Sequence, residues 1–522
     1  MFQWWDYPLF FLLSCLSFAF IGDFLFHWFS LKDWSEYPFI YSIISLMLIV
    51  VLVNNLGKWL ILPLMKRPVP ISSIPNFRVA VVTTFAGRSE PIEMVEKTLQ
   101  SLVALKYAHD TWVLDEEDDE GLKKLCLELG VKHFSRKNLL RFQAESGLFK
   151  SRSKHGNYNS WLYSIGFDLY DVIAAFDPDH VANPEFLTKT LGYFRDPGIG
   201  YVQAAQVYYN QEASFIARGA AEETYSYYSS VQMAAYSMGF PIIVGCHNVH
   251  RVEALKQVGG LAPHDADDLM LTFLYRNSGW KGVYVPEILA KGLTPVDWKG
   301  YVGQQRRWAR SILDLKLWHY PKLSRNFSLG QRVAGLLHGL NYLHKSMMIF
   351  IFLCILMFLL FTGNSPEFFS YPTFSRLVAL WMVLQACEFY RQRFYLDWRI
   401  ERGLHLRAGL LHLAKWPFML LAVYEALRRR EFSYQTTSKV KTAGDGYVLL
   451  WPNLLVFVLM AIAVIVNVFS GKSLDPVIYI AAGITAMLSL FLIFTEHYDF
   501  PDPYDVNLLN GRIGTPRLPA KN

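Results

Sequence analysis

The sequence predicts an α/β domain with a mostly parallel sheet, held between groups of membrane-spanning helices. Three observations predict it. Apolar runs long enough to cross a bilayer stand near both ends of the chain, at 8–62 and 448–494. Between them, from Arg78 onward, short strand-like runs alternate with amphipathic stretches, the pattern of strand–helix–strand units. The composition is 52% hydrophobic and 18% charged over 522 residues, too apolar for a wholly soluble enzyme and too charged for a chain that lies entirely in lipid.

Taken in order, 8–29 and 38–62 read as two spans. A basic leader is missing ahead of the first, and a second apolar run follows at once, so a cleaved signal peptide is the poorer reading. Lys32 alone sits in the connector, whereas Lys58, Lys66 and Arg67 flank the far end, which puts the following region on the cytoplasmic side. Segment 1–67 is thus the first membrane unit. Pro68, Pro70 and Pro75 make a linker, and 68–303 is the expected cytoplasmic domain. Its strand-like runs are 79–84, 112–114, 131–134, 172–176 and 200–203. Helical stretches at 91–105, 121–129 and 184–194 lie among them.

From about Val302 the character changes. Residues 304–320 are basic and aromatic with one apolar face, too charged to span, so 304–330 is expected to lie at the membrane surface. A span ending near Phe361 and a return span at 377–390 make a hairpin within 331–404. The turn between them lacks Lys and Arg, and Arg391, Arg393, Arg399 and Arg402 follow the return. Within 405–446, residues 410–427 are interrupted by Lys415 and Pro417 and closed by Arg428, Arg429 and Arg430. They read as a second interfacial helix followed by a polar loop. Runs 448–469 and 477–494 form the last hairpin, in 447–498, and the tail 499–522 is expected inside, too short for an appended regulatory domain. The total is six spans with both termini cytoplasmic.

The net charge of +6, with its basic residues beside the apolar runs, points to an anionic membrane face and lipid contact, not to nucleic acid. Five cysteines without paired or C-x-x-C spacing exclude a disulfide framework or a zinc finger and read as reduced, mostly buried residues.

In a parallel α/β sheet the chemistry collects at the carboxyl ends of the strands. Asp115 ends one strand-like run. Asp177 and Asp179 end another, one residue apart, so that both carboxylates can reach a single cation. Two hard anionic ligands with open positions beside them suit Mg²⁺ or Mn²⁺ carrying a diphosphate. Taken alone, the pair reads first as an ordinary acidic turn after a strand. Gln304-Gln305-Arg306-Arg307-Trp308 offers arginines that can grip a diphosphate and a tryptophan that can stack on a sugar ring. Asp265, Asp267 and Asp268 by themselves suit a helix N-terminus. Cys246-His247 has no second Cys or His at ligand spacing, so a metal site is not indicated there.

In combination these strings resemble the membrane-integrated family 2 glycosyltransferases of the cellulose, chitin and hyaluronan synthase type. The resemblance runs from about Arg78 to Lys439. It implies a GT-A-type, Rossmann-like glycosyltransferase domain inserted between transmembrane helices, in a polytopic protein of the inner (plasma) membrane. Val113-Leu114-Asp115 matches the nucleotide-binding Asp, and Lys154-His155-Gly156-Asn157-Tyr158-Asn159 resembles the family's Lys-x-Gly-Asn-x-Asn. Asp177-Pro178-Asp179-His180 matches the metal motif with its trailing His, so the resemblance assigns Asp177, Asp179 and His180 to Mg²⁺ or Mn²⁺. Gln304, Arg307 and Trp308 fill the fixed positions of Gln-x-x-Arg-Trp, the first two at the nucleotide sugar and Trp308 at the acceptor. Ala266-Asp267-Asp268 stands where the family has Thr-Glu-Asp, which makes Asp268 the general base. Cys246 and His247 fall where relatives line the acceptor site. Thr437 and Lys439 keep the polar positions of the loop that closes over the nucleotide in cellulose synthases.

The implied activity is processive, inverting polymerisation of a β-linked polysaccharide, a β-glucan first, with secretion of the growing polymer through the protein's own span bundle. UDP-glucose is the first donor expected and UDP-N-acetylglucosamine the second, with accessory export subunits as possible partners. Two rivals stand beside this reading, the second from a different class. One is a non-processive transferase that adds a single sugar to a lipid carrier, against which Gln-x-x-Arg-Trp argues. The other is a transporter or receptor with a degenerate domain, against which intact Asp177, Asp179, Asp268 and Trp308 argue.

Overall fold

The computed structural model describes residues 2–87, 90–429 and 446–495. Its centre is a seven-stranded sheet in the order β3-β2-β1-β4-β8-β6-β9, beside a three-stranded sheet in the order β5-β10-β7. The strands are β1 Val79–Phe85, β2 Asp110–Asp115, β3 Lys132–Ser135, β4 Val172–Ala175 and β5 Val181–Ala182. They continue with β6 Ile199–Ala204, β7 Val207–Tyr208, β8 Asn248–Arg251, β9 Lys281–Val285 and β10 Ala290–Gly292. Each strand-like run of the first half overlaps a strand: 79–84, 112–114 and 200–203 are each part of a longer one, 172–176 stops at Ala175, and 131–134 is shifted by one residue to Lys132–Ser135.

Alternation along these strands builds a core on each face. Val79, Val81, Val172 and Ala174 pack on one side with Leu102, Phe186 and Val202. Ala80, Val82, Ile173 and Ala175 pack on the other with Tyr158, Trp161, Leu271 and Tyr275. The second face therefore carries both the helix Lys154–Trp161 and the helix Asp267–Asn277. Strands β1, β2 and β4 run parallel, so Phe85, Asp115 and Ala175 end at one edge. The sheet is mixed, because β8 is antiparallel to both β4 and β6. Its register pairs Ala175 with Asn248, so the residues just after β4 meet those just before β8.

Among the described residues, six helices are long and apolar enough to cross a membrane: Trp4–Ser30, Pro38–Leu64, Leu343–Thr362, Leu406–Leu427, Trp451–Phe469 and Pro476–Phe494. The number agrees with the sequence reading, but one member differs. The helix Tyr371–Gln392, which contains the expected fourth span, carries Arg376, Glu388 and Arg391 and is not among the six. It nonetheless runs antiparallel along the whole of Tyr7–Ser30. Tyr390 Oη donates to Asp6 at 2.8 Å, Ser17 and Cys387 touch at 3.2 Å, and His27 Nε2 lies 2.8 Å from Thr373 Oγ1. Leu406–Leu427, expected at the membrane surface, qualifies by length and composition, and one face of it is covered by protein. Leu411 and Ala414 pack on Ile216, Ala220, Trp298 and Tyr301, Ala422 and Met419 on Ala309, and Trp416 stacks on Phe350 at 5.4 Å.

Candidate active site

The edge where the parallel strands end carries the acidic residues. Asp115, at the tip of β2, is wholly buried. Its carboxylate accepts from the amides of Glu117 at 2.9 Å, Asp118 at 3.0 Å and Asp119 at 2.6 Å, and lies 3.0 Å from His133 Nε2. Asp115 thus organises the loop that leaves its strand. Glu116 beside it holds Arg136 through two bonds of 2.8 and 2.9 Å.

Past β4 the chain places Asp177, Asp179 and His180 so that one ligand atom of each lies within 4.8 Å of the others. Lys154, at the start of its helix, donates from Nζ to Asp177 Oδ1 at 2.5 Å and to the carbonyl of Gly245 at 2.7 Å. Burial works against both charges. Asp177 and Asp267 nevertheless hold the Lys154 ammonium well above the usual lysine value, and Lys154 with His180 holds the Asp177 carboxyl below its usual one. Two carboxylate oxygens and an imidazole nitrogen, in a field that already draws a cation, fit a hard divalent ion with positions left for phosphate oxygens.

Gly245 joins this cluster to the next. Its amide donates to Asp268 Oδ2 at 2.8 Å, while Leu269 N donates to Asp268 Oδ1 at 2.7 Å. Burial raises the carboxyls of both Asp267 and Asp268, and the charge on Asp268 helps to push Asp267 to about 7. Two backbone donors favour the charged form of Asp268, so of the pair it is the carboxylate and Asp267 the acid. A second tie was invisible to spacing. Asn159 donates from Nδ2 to Leu148 O and Leu261 O and accepts from Leu261 N, all within 3.1 Å. It fastens the Lys154 helix to the loop that leads into Asp267. The asparagines of the Lys-x-Gly-Asn-x-Asn match act here as braces, since Asn157 Nδ2 likewise donates to Leu114 O at 3.0 Å.

Gln304, Arg307 and Trp308 lie half-buried on the helix Trp298–Asp314, which Asp297 caps by accepting from Gly300 N at 2.8 Å. Arg310 on that helix reaches Asp265 Oδ2 at 3.0 Å, and Asp314 lies 3.0 Å from His264, so the helix is bolted to the loop that leads into the helix of Asp268. Cys246 and His247 are fully buried against His180 and form no open acceptor surface. Thr437 and Lys439 lie outside the described residues.

Residues 75–311 match the model of glycosyltransferase like family 2. The cellulose synthase catalytic subunit [UDP-forming] of Xanthomonas axonopodis pv. citri (strain 306) is 24% identical over 54% of this chain and 38% of that one. The corresponding subunit of Pseudomonas fluorescens (strain SBW25) is 26% identical over 52% and 36%. The chain thus spans under two fifths of the length of these relatives. In fold, it is similar to a mannosyltransferase from Pyrobaculum calidifontis in complex with GDP-Man and Mn²⁺, with a TM-score of 0.50 and 15% identity over 74% of this chain and 99% of that one. With its strand-tip carboxylates and its membrane-capable helices, the chain has a GT-A-like fold, and residues 75–311 within it are similar to glycosyltransferase like family 2.

Proposed function

We propose that this protein is a processive, inverting glycosyltransferase that extends a β-linked glucan from a nucleotide sugar on the cytoplasmic side of the inner (plasma) membrane. The carrying observation is the convergence on Gly245 of Lys154, which also holds Asp177, and of Asp268. A donor diphosphate at the first and an acceptor hydroxyl at the second would be in reach of each other. The likeness to cellulose synthase subunits supports UDP-glucose as donor ahead of UDP-N-acetylglucosamine.

Asp177, Asp179 and His180 would hold Mg²⁺ or Mn²⁺, which when bound neutralises the charge that develops on the leaving diphosphate. Asp268 takes the proton of the acceptor hydroxyl as that oxygen forms its bond to the anomeric carbon. The bond from that carbon to the diphosphate breaks on the opposite face, and the nucleoside diphosphate leaves with the electron pair. Lys154 and Arg307 supply positive charge at the diphosphate, with Gln304 beside them, and Asp115 shapes the nucleoside pocket. Trp308 offers its ring to the acceptor sugar. The helices around Leu406–Leu427 connect this site to the span bundle, which supports export of the polymer by the same chain.

Purified protein supplied with a panel of labelled nucleotide sugars and Mg²⁺ or Mn²⁺ is expected to make long β-linked product from UDP-glucose. A single-sugar lipid product would overturn processivity. In proteoliposomes, polymer wholly digestible from the catalytic-domain side would overturn export.

A further inference from the structure

Three soft or borderline metal ligands meet behind the strand tip, where His180 of the acidic cluster faces Cys246 and His247. We propose that His180, Cys246 and His247 form a zinc site that fastens the end of β4 to the start of β8, joined to the Mg²⁺ or Mn²⁺ position through His180, whose Nε2 faces Cys246 and whose Nδ1 faces Asp179.

The geometry carries this. One ring nitrogen of each histidine and the Cys246 sulfur lie within 4.8 Å of one another, and all three side chains are at most 2% exposed. Cys246 Sγ is 3.5 Å from His180 Nε2. A tetrahedral Zn²⁺ with ordinary Zn–N and Zn–S bonds separates such a pair by ~3.6 Å. The two imidazole rings stand nearly perpendicular, at 84°, with centroids 4.6 Å apart, so neither blocks the other.

The two rings are also turned as a metal site requires. His180 Nε2 faces the sulfur, and its Nδ1, buried and without a hydrogen bond, lies 3.2 Å from Asp179 Oδ1 on the side of the acidic cluster. His247 Nδ1 lies 3.1 Å from the carbonyl of Ala205, which fixes the proton on Nδ1 and leaves a lone pair on Nε2. That Nε2 is buried and has no hydrogen-bond partner, a costly state for an imidazole nitrogen with nothing to bind. The backbone is held to match. His247 sits at φ 56°, with its amide donating to Ala175 O at 3.1 Å and its carbonyl accepting from Ala204 N at 2.9 Å.

The cluster is invisible to residue spacing, since His180 comes from 66 residues upstream of Cys246. The β4–β8 register brings them together. A fourth position can be filled by water, and the thiol proton leaves to solvent when the thiolate binds. Oxygen ligands prefer the hard ion and this N,N,S set prefers zinc, so the two positions select different metals.

The full chain, purified in detergent under reducing conditions, is to be titrated with Zn²⁺ against a chromophoric chelator in excess Mg²⁺. About one zinc per chain is expected to bind tightly, and Co²⁺ in its place is expected to give thiolate-to-cobalt charge-transfer absorption. Cys246→Ser is expected to lose that absorption, and His247→Asn to weaken zinc about tenfold or more. Absorption spectroscopy at the zinc edge of the unaltered protein tests the ligand set without reliance on a variant's folding. One sulfur and two or more nitrogens support the site. A shell without sulfur, or no zinc retained in Mg²⁺, overturns it.

Discussion

Lys154 Nζ lies 2.5 Å from Asp177 Oδ1, so a protein cation already occupies one ligand of the hard-metal cluster. The two charges are 19% and 29% exposed, well screened from water but not sealed. Lys154→Met should destabilise the protein by about 2 kcal/mol in the absence of divalent ions, since it strands a mostly buried carboxylate. Mg²⁺ should then raise the variant's unfolding temperature more than the wild type's, because it replaces the lost cation. Equal shifts in both proteins would show that lysine and metal do not share Asp177.

Asp268→Asn should lower turnover by a factor of about 10² to 10⁴ while leaving nucleotide-sugar binding measurable, as removal of a general base does. Asp267→Asn should cost much less, because Asp267 is the protonated member of the pair. The check is steady-state kinetics with donor affinity measured separately. Turnover that survives in Asp268→Asn would remove the assigned base.

Burial lifts the Asp268 carboxyl above the ordinary aspartate value. A base works only when deprotonated, so activity is retained above its raised pKa and lost as pH falls through it. The acid limb of kcat/KM should therefore lie above the ~3.9 of an unperturbed aspartate. An acid midpoint at or below that value would contradict the assignment.

Much of this was legible in the chain because it is local. Strands β1, β2, β4 and β6 announce themselves as short apolar runs, and Asp115, Asp177 and Asp179 stand at the run ends where parallel sheets put their chemistry. What spacing could not give is what antiparallel β8 creates. Nothing local says that Cys246 and His247 will face His180, or that Gly245 will bind Lys154 and Asp268 with its two backbone groups. The same holds for Asn159, whose partners Leu148 and Leu261 lie on either side of it, 11 and 102 residues away. The membrane half was less legible at one point for a related reason. Leu406–Leu427 buries one face on other helices and leaves Leu406, Leu421 and Leu427 exposed, and composition does not distinguish protein from lipid as the neighbour.

Gly292 of β10 backs His180 so closely that an added Cβ would lie 2.0 Å from His180 Nε2. His180 is 2% exposed and has little room to retreat. Gly292→Ala should therefore cost about 1–3 kcal/mol, as overpacking does, and should turn His180 away from Cys246. Thermal unfolding and zinc titration of the one variant should fall together. A stable variant with unchanged zinc affinity would show that the ring is not wedged there.

Lys415 ties the Leu406–Leu427 helix to the domain through a buried network. Its Nζ donates to Glu223 Oε1 at 2.7 Å and to Tyr301 Oη and Gln305 Oε1 at 2.9 Å each, while Tyr301 donates to Glu223 Oε2 at 2.9 Å. With Lys415 1% exposed, removal of either charge alone leaves the other uncompensated, and Lys415→Met or Glu223→Gln should each destabilise by about 3–5 kcal/mol. The double variant should be far less damaged than the sum, since no charge is then stranded, and a coupling of about 1–3 kcal/mol is expected from a double-mutant cycle in detergent. Additive losses would mean that Lys415 acts through packing alone. Gln305 adjoins Gln304 on the helix that also carries Arg307 and Trp308, so the single variants should lose turnover beyond their loss of folded protein. The double variant should recover stability before it recovers rate, because a neutral seam holds the helix in place without fixing Gln305.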